Sequence, residues 1–193
     1  GICHQLLPES GYVRPGMVVV GADSHTSTHG AMGAMAIGVG ATDMAGVWAL
    51  GRLVNVEVPA TIKVVADGEF KPLVGPKDLI LYLIGMISAE GANFRVIEFH
   101  GRAIKRMSLS GRLVLCNMSV EAGATCGIVP ADEETARYLR EEAGVADAVP
   151  PVLPAPDAVY EETIEIDVAR LEPQVAKPHT VDNVAPVGEV EGV

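Results

Sequence analysis

The sequence has few cysteines, and their spacing matches no common disulfide or metal-binding pattern. Only three are present, Cys3, Cys116 and Cys126, with no CxxC pair and no even-numbered framework. This argues against structural disulfides and favours a reducing, cytoplasmic compartment. All three lie among apolar or small residues, so we expect buried, unreactive thiols and not iron ligands.

Cations are also scarce, and no apolar run is long enough to cross a bilayer. Lys and Arg number 14 against 25 Asp and Glu. Binding of nucleic-acid phosphates needs clustered Lys and Arg, so this balance argues against a nucleic-acid partner, whereas a small carboxylate substrate needs only a few local cations. The most apolar helix candidate, residues 79–87, is much shorter than a transmembrane helix of roughly 20 residues, so no membrane partner is expected.

A strand signal followed by a dense polar cluster marks residues 17–45 as the centre of the chain. The β-branched run at residues 18–20 predicts a buried strand. Beyond Gly21, an acid, hydroxyls and imidazoles are crowded into residues 23–29. Side chains at the carboxyl end of a strand point into a crevice, and a helix that begins there offers free N–H groups to anions. This pattern therefore predicts a functional site.

The small-residue run behind the polar cluster predicts a helix from about residue 31 to residue 53, with Trp48 packed into the core. Gly inside a helix costs roughly 1 kcal/mol relative to Ala, so several glycines suggest the close approach of another backbone or of a bulky cofactor. Tight packing of a helix on a sheet explains the glycines equally well.

Residues beyond 58 read as alternating strands and helices, which predicts an α/β fold. Expected strands are 61–66, 94–99, 125–129 and 160–167, and expected helices are 77–89, 111–122 and 132–143. After residue 173 the chain is expected to be extended and irregular, without a core pattern.

Asn117 and Glu121 lie four residues apart, so they share one face of the expected helix. Such a pair is usually solvated, but the flanking residues here are apolar or small. A Glu in these surroundings needs a partner, and an imidazole such as that of His25 would provide one.

Three segments of the sequence resemble the aconitase superfamily, and they occur in the same order and with similar spacing. They are GICHQ at residues 1–5, GADSHTSTHGAMGAMAIGVGATDMA at residues 21–45 and LCNMSVEAGA at residues 115–124. The resemblance is strongest to the large subunits of 3-isopropylmalate dehydratases, followed by those of homoaconitases. It runs along nearly the whole chain but covers only part of a family protein.

The resemblance implies three-layer α/β/α domains with a mostly parallel sheet. Residues 1–57 would be part of a first aconitase-like domain and residues 58–170 a second one. Residues 171–193 would be an extended linker towards a cluster-binding domain. The chain is therefore expected to be a fragment, with the cluster-binding cysteines downstream of Val193 and no metal bound within the chain.

The implied function is that of a hydro-lyase that interconverts 3-isopropylmalate and 2-isopropylmalate by dehydration and rehydration, in leucine biosynthesis. A homoaconitase or aconitase-type hydratase of lysine or related pathways is an alternative, and a non-catalytic binding or folding domain on the same scaffold is another. The full-length protein would carry a [4Fe-4S] cluster. Its partners would be a small subunit with a swivelling domain, the rest of the large subunit and a di- or tricarboxylate substrate. The 193 residues alone are expected to bind no cluster and to be inactive.

The resemblance also implies the roles of individual residues. The implied catalytic residues are His4, Asp23, His25 and Glu121. The implied substrate-binding residues are Ser24 and Asn117. Thr26 is added as a substrate-binding residue because it lies at the expected helix N-terminus, where a substrate carboxylate could bind. Asp23 would orient the imidazole of His4, and His25 would pair with Glu121. His29 and His179 are expected to be structural.

Overall fold

The computed structural model describes residues 1–54, 56–147 and 150–190. The strands are β1 (Val18–Gly21), β2 (Met35–Gly38), β3 (Ala60–Asp67), β4 (Arg95–His100), β5 (Cys126–Ile128), β6 (Glu162–Asp167), β7 (Gln174–Ala176) and β8 (Val184–Pro186). The α-helices are α1 (Cys3–Glu9), α2 (Ala41–Leu50), α3 (Pro76–Ile87), α4 (Arg102–Lys105), α5 (Leu109–Met118) and α6 (Glu133–Glu141). Short 3-10 helices cover Ser24–Met32, Ser119–Ala122, Val168–Arg170 and Val187–Glu189.

The predicted α/β class is confirmed, with a parallel four-stranded sheet flanked by helices. Its strand order is β5-β4-β3-β6. The strands β1 and β2 form a separate parallel pair, and β7 and β8 form an antiparallel hairpin. No helix within the described residues combines the length and the apolarity that a membrane crossing requires.

The main core lies between the four-stranded sheet and the helices α3 and α5. Alternate residues of β3, including Ile62 and Val64, are buried, and they pack with Leu83 of α3 and Leu115 of α5. Gly75 precedes helix α3 as its N-cap, and its N–H donates to the Asp78 carboxylate at 2.8 Å. Each large aliphatic side chain buried in this way contributes about 1.5–3 kcal/mol to the free energy of unfolding. The sheet and these two helices therefore form the stable part of the fold on which the other segments pack.

The predicted helix over residues 31–53 is wrong. The polar cluster itself is a 3-10 helix, Ser24–Met32, which ends at Gly33 in the left-handed conformation (φ 74°). The chain then forms β2, which pairs in parallel with β1, and only residues 41–50 are α-helical. The edge of β1 takes a partner from the Gly- and Ala-rich run, and this tertiary pairing overrides the helical propensity of Ala.

Two further predictions fail near the ends of these elements. Trp48 is 77% exposed, because α2 buries only Met44. The segment after residue 173 is not without core contacts, since it forms the hairpin of β7 and β8 and buries Ala185. Prolines in the segment obscured this hairpin, but Pro186 lies at the end of a three-residue strand, where a missing N–H is tolerated.

The predicted burial of the cysteines holds for two of the three. Cys116 and Cys126 are buried, whereas Cys3 is exposed at the start of α1. The remaining predicted strands and helices are present, with boundaries shifted by a few residues. The predicted helix over 111–122 is divided into α5 and the 3-10 helix Ser119–Ala122.

Gly30 is the point at which two backbones meet. Its carbonyl accepts a hydrogen bond from the N–H of Val129, just beyond β5, at 3.1 Å. A Cβ atom at Gly30 would lie 1.7 Å from the carbonyl oxygen of Gly127 in β5. The close approach of a backbone that the glycine run predicted is therefore found here, and it places the 24–32 helix directly on the sheet.

We expect Gly30→Ala to lower the free energy of unfolding by about 1–3 kcal/mol or more, because the atom in the way belongs to a strand backbone that cannot swing aside. Urea denaturation measures this change. Gly46→Ala is the matched control, since Gly46 lies in α2 and a Cβ added there would meet no neighbouring element of the described chain within 4 Å. This control should raise the stability by about 0.5–1 kcal/mol. Equal stability of Gly30→Ala and the wild type would contradict the close approach.

Candidate active site

The 24–32 helix is shaped by Asp23, which lies at the carboxyl end of β1. Asp23 Oδ1 accepts the N–H of His25 at 2.7 Å and so caps the helix. The same oxygen lies 3.1 Å from His4 Nε2. One carboxylate oxygen therefore fixes both the start of the helix and the imidazole of His4.

Hydroxyl groups hold the rest of this helix in place. The hydroxyls of Thr26 and Thr28 donate to the carbonyls of Asp23 and His25, each at 2.6 Å. Both threonines are at most 4% exposed. This geometry favours a positioning role for Thr26 over the substrate contact that was predicted from the helix N-terminus.

Two hydrogen bonds join the 24–32 helix to α5. Ser27 Oγ donates to the carbonyl of Cys116 at 2.7 Å, and Asn117 Nδ2 donates to Thr28 Oγ1 at 2.8 Å. Ser27 had no role in the sequence-based prediction. A buried hydroxyl in a polar cluster needs a partner, and this requirement was the available signal that Ser27 would bond to a neighbouring element.

The structure brings together residues that are separated by more than a hundred positions in the sequence. His25 Nε2 lies 3.4 Å from Glu121 Oε1, and the ring of His4 lies 6.4 Å from the ring of His25. The two predicted imidazole–carboxylate contacts, His4 with Asp23 and His25 with Glu121, are therefore both present. Asn117 lies beside them through its bond to Thr28.

Ser24 contacts the second imidazole from the side opposite to the carboxylate. Its hydroxyl lies 3.1 Å from His25 Nδ1, whereas Glu121 approaches Nε2. Both ring nitrogens of His25 therefore have a protein partner. Such contacts at both nitrogens fix the plane of the ring and tie its tautomer to its neighbours.

The site is an open surface and it carries negative charge beside the imidazoles. The backbone N–H of His25 holds the pKa of Asp23 below its ordinary value against the opposing effect of burial, and the charge of His4 lowers this pKa further. His25 and Glu121 are each more than a third exposed, so a small molecule could reach them. An acidic groove of about 810 Å³ lies elsewhere on the surface. Its lining includes Asp67 and Glu165 and none of the site residues.

His29 is the third imidazole of the cluster, and it is the one that is hidden. It is 2% exposed, and its ring centre lies 5.8 Å from that of His4. Burial lowers the pKa of His29 to about 4, and the nearby charge of His4 acts in the same direction. His29 is therefore neutral at physiological pH.

A pH dependence of stability follows from His29. Its pKa is about 4 when folded and about 6.5 when unfolded, so the unfolded chain binds the extra proton. This proton binding leaves the free energy of unfolding unaffected well above pH 6.5 and lowers it as the pH falls from 6.5 towards 4. Between pH 7 and pH 5 this loss is roughly 2 kcal/mol.

Denaturation of the wild type and of His29→Phe at several pH values measures this contribution. The difference in stability between the two proteins should change steadily below about pH 6.5 in favour of the variant, which has no group to protonate at this position. A difference that stays constant between about pH 7 and pH 5 would contradict the assignment.

Comparison with known proteins relates this site to a family. The profile of the aconitase family (aconitate hydratase) matches residues 1–192. The chain belongs to the aconitase family. Among curated relatives, it is 54% identical over 193 residues to the 3-isopropylmalate dehydratase large subunit 1 of Methanopyrus kandleri, covering all of this chain and 46% of that protein.

Other relatives in the aconitase family carry two different names. The probable methanogen homoaconitase large subunit of Methanosarcina mazei is 50% identical over 192 residues, which cover 100% of this chain and 48% of that protein. The 3-isopropylmalate dehydratase large subunit of Elusimicrobium minutum is 49% identical over 193 residues, covering 100% of this chain and 46% of that protein. The chain thus spans about half the length of the curated relatives it matches.

Membership of the aconitase family implies a [4Fe-4S] cluster in full-length proteins. The two buried thiols of this chain do not suit the ligands of such a cluster, which are thiolates. Burial raises the pKa of Cys126 to about 11 and that of Cys116 well above its ordinary value. Cys3 is exposed and lies against the His4 ring. The candidate site therefore offers hydrogen-bonding and acid–base groups, and no residue of this chain is assigned to hold the cluster.

Proposed function

We propose that this chain forms part of the large subunit of a hydro-lyase that interconverts 3-isopropylmalate and 2-isopropylmalate by dehydration and rehydration, in leucine biosynthesis. The observation that carries this proposal is the convergence of two imidazole–carboxylate pairs and an amide in a chain of the aconitase family. Relatives named as 3-isopropylmalate dehydratase large subunits, at about half identity over the whole chain, support the choice of substrate.

Dehydration of a hydroxy acid requires a group that gives a proton to the departing hydroxyl and a group that binds the leaving oxygen. Within the proposal, His25 handles this proton, because Glu121 can stabilise its protonated form and the pair is open to solvent. His4 is the second acid–base group, and Asp23 orients it through the contact at Nε2. Asn117 and Ser24 contact the substrate, and Asn117 is steadied by Thr28. The family's cluster, when bound, supplies a Lewis acid for the hydroxyl.

The same proposal assigns partners to the chain. The names of the relatives describe large subunits, so we infer a small subunit as the partner. This partner, together with the rest of the large subunit, would supply the base for the carbon-bound proton and the cations that bind the substrate carboxylates. The 193 residues alone are therefore expected to give no turnover.

A homoaconitase is the second candidate, because relatives with this name are as similar to the chain as several of the dehydratases. The Methanosarcina mazei protein is 50% identical over 192 residues. The acid–base site would be the same, and only the substrate side chain would differ.

The test uses the large subunit that contains these residues, expressed with its small subunit and reconstituted with iron and sulfide without oxygen. Ultraviolet absorbance measures formation of the alkene from 3-isopropylmalate. In a separate assay it measures loss of the alkene as homoaconitate is hydrated. We expect kcat/KM to favour 3-isopropylmalate by at least about ten-fold, equivalent to about 1.4 kcal/mol. A preference for homoaconitate would establish the second candidate. If either compound binds but neither is turned over, both candidate enzyme functions would be rejected and a binding domain would be favoured.

A further inference from the structure

One ring nitrogen in the candidate site is buried without a hydrogen-bond partner. His29 Nδ1 is inaccessible and makes no hydrogen bond within the part of the chain that the structure describes. The inaccessibility also means that a water molecule has no room to reach it. A buried polar atom left in this state costs about 1–3 kcal/mol, so an apolar ring of similar shape would serve the fold better.

The contact that this costly ring does make is with His4. The two ring centres are 5.8 Å apart and the planes are inclined at 53°. Among the described residues, the one carboxylate paired with His4 is that of Asp23, through Nε2. The His4 ring therefore has two neighbours, the candidate catalytic carboxylate of Asp23 and the buried ring of His29.

Asp23 favours the orientation of the His4 ring that directs Nε2 towards it, and the dipole of a neighbouring ring can add to this preference. A ring rotated by half a turn exchanges a nitrogen for a carbon on each side with little change in shape. Cys3 Sγ cannot distinguish the two orientations well, because it lies 3.6 Å from Nδ1 and 3.8 Å from Nε2. A neutral imidazole has a strong dipole, which a phenyl ring lacks, so its dipole can favour one orientation over the other.

We propose that His29 is a positioning residue for the dehydration reaction: the dipole of its enclosed, neutral ring holds His4 in the orientation that directs Nε2 towards Asp23. The reaction itself is that of the proposed function, on which this inference rests. His29 touches no substrate in this account and acts through His4 alone. His29 Nδ1 therefore serves the chemistry of the site and lowers the stability of the fold.

The test separates these two effects in the reconstituted two-subunit enzyme. His29→Phe keeps an aromatic ring and removes the dipole. We expect the thermal midpoint of this variant at pH 7 to equal or exceed that of the wild type, while kcat falls about ten-fold, which is less than the loss of a proton-transferring group itself. KM should stay within about two-fold, because the substrate contacts are intact. His179→Phe, at an exposed histidine, is the matched control and should leave kcat and KM unchanged.

A second readout does not depend on turnover. The ¹⁵N signals of the His4 ring, recorded on the large subunit without the cluster, report which nitrogen carries the proton and whether it is hydrogen-bonded. We expect one tautomer, protonated at Nε2, in the wild type and a mixture in His29→Phe. An unchanged spectrum together with kcat within about two-fold of the wild type would overturn the inference.

The remaining outcomes are also decisive. His29→Leu covers the risk that the phenyl ring is too large for the site. If both variants lose stability at pH 7, the nitrogen serves the fold and the inference is overturned. If the wild type turns over neither 3-isopropylmalate nor homoaconitate, the proposed function fails, and the ¹⁵N spectra alone then decide whether His29 orients His4.

Discussion

Asp132→Asn is expected to lower the free energy of unfolding by about 3–5 kcal/mol, because it leaves a buried guanidinium without its counter-charge. The side chain of Arg112, in α5, is completely buried. Its two terminal nitrogens donate to the two carboxylate oxygens of Asp132 at 2.7 and 2.8 Å. Nε donates to the carbonyl of Met107, and a second N–H of Nη2 donates to that of Lys105. An amide at position 132 keeps the shape but not the charge.

The pKa of Asp132 reflects how its surroundings stabilise the charged form. Burial alone would raise the pKa of Asp132, but the hydrogen bonds and charge of Arg112 outweigh this effect, and the pKa lies below its ordinary value. Asp132 also caps α6 by accepting the N–H groups of Glu134 and Thr135. Since the folded pKa is the lower one, this stabilisation is present above the unfolded value, near 3.8, and is lost in stronger acid.

Urea denaturation at pH 7 measures the change. The matched control is Glu69→Gln, which removes the carboxylate from the exposed ion pair with Arg106. Exposed pairs contribute little because water and salt screen them, so the control should unfold at the wild-type midpoint. If Asp132→Asn also unfolds there, the buried pair is not what secures α5 to α6.

Glu121→Gln in the reconstituted two-subunit enzyme is expected to lower kcat by about a thousand-fold, within the range of general acid–base catalysis. Glu121 Oε1 lies 3.4 Å from His25 Nε2, and the other ring nitrogen of His25 is occupied by Ser24. The amide cannot stabilise a protonated imidazole. His25 would then lose the charge that makes it a competent proton donor, while the shape of the site stays the same.

Steady-state kinetics with 3-isopropylmalate test this expectation, with Glu90→Gln at an exposed position as the control. KM should change much less than kcat, because the loss concerns a charge that develops in the transition state. Activity of Glu121→Gln within about ten-fold of the wild type would count against the role of the pair.

Much of this site could be predicted because its residues lie in three recognisable segments. The pairing of His25 with Glu121 was anticipated from a Glu on an apolar helix that needed a partner. The pairing of Asp23 with His4 was implied by the resemblance to the aconitase superfamily. The strands β3, β4 and β6 followed from alternation of apolar residues and from turn signals.

The errors arose where tertiary contacts decide between local alternatives. The run after Gly30 has the composition of a helix, yet β1 recruits its middle as a strand, and only the sheet pairing reveals this. Trp48 was assigned to the core by residue type, but α2 contacts the rest of the protein too little to cover it. The roles of Ser27 and His29 depend on distances to Cys116 and His4 that no local pattern encodes.

The double use of one Asp23 oxygen links two properties that are usually adjusted separately. A change at this residue removes the hydrogen-bond partner of the His4 ring and, in the same step, releases the first turn of the segment that carries His25. Kinetic defects of Asp23 variants will therefore report a mixture of both losses. A change aimed at the His4 ring alone is therefore better made at its other neighbours, with the carboxylate left in place.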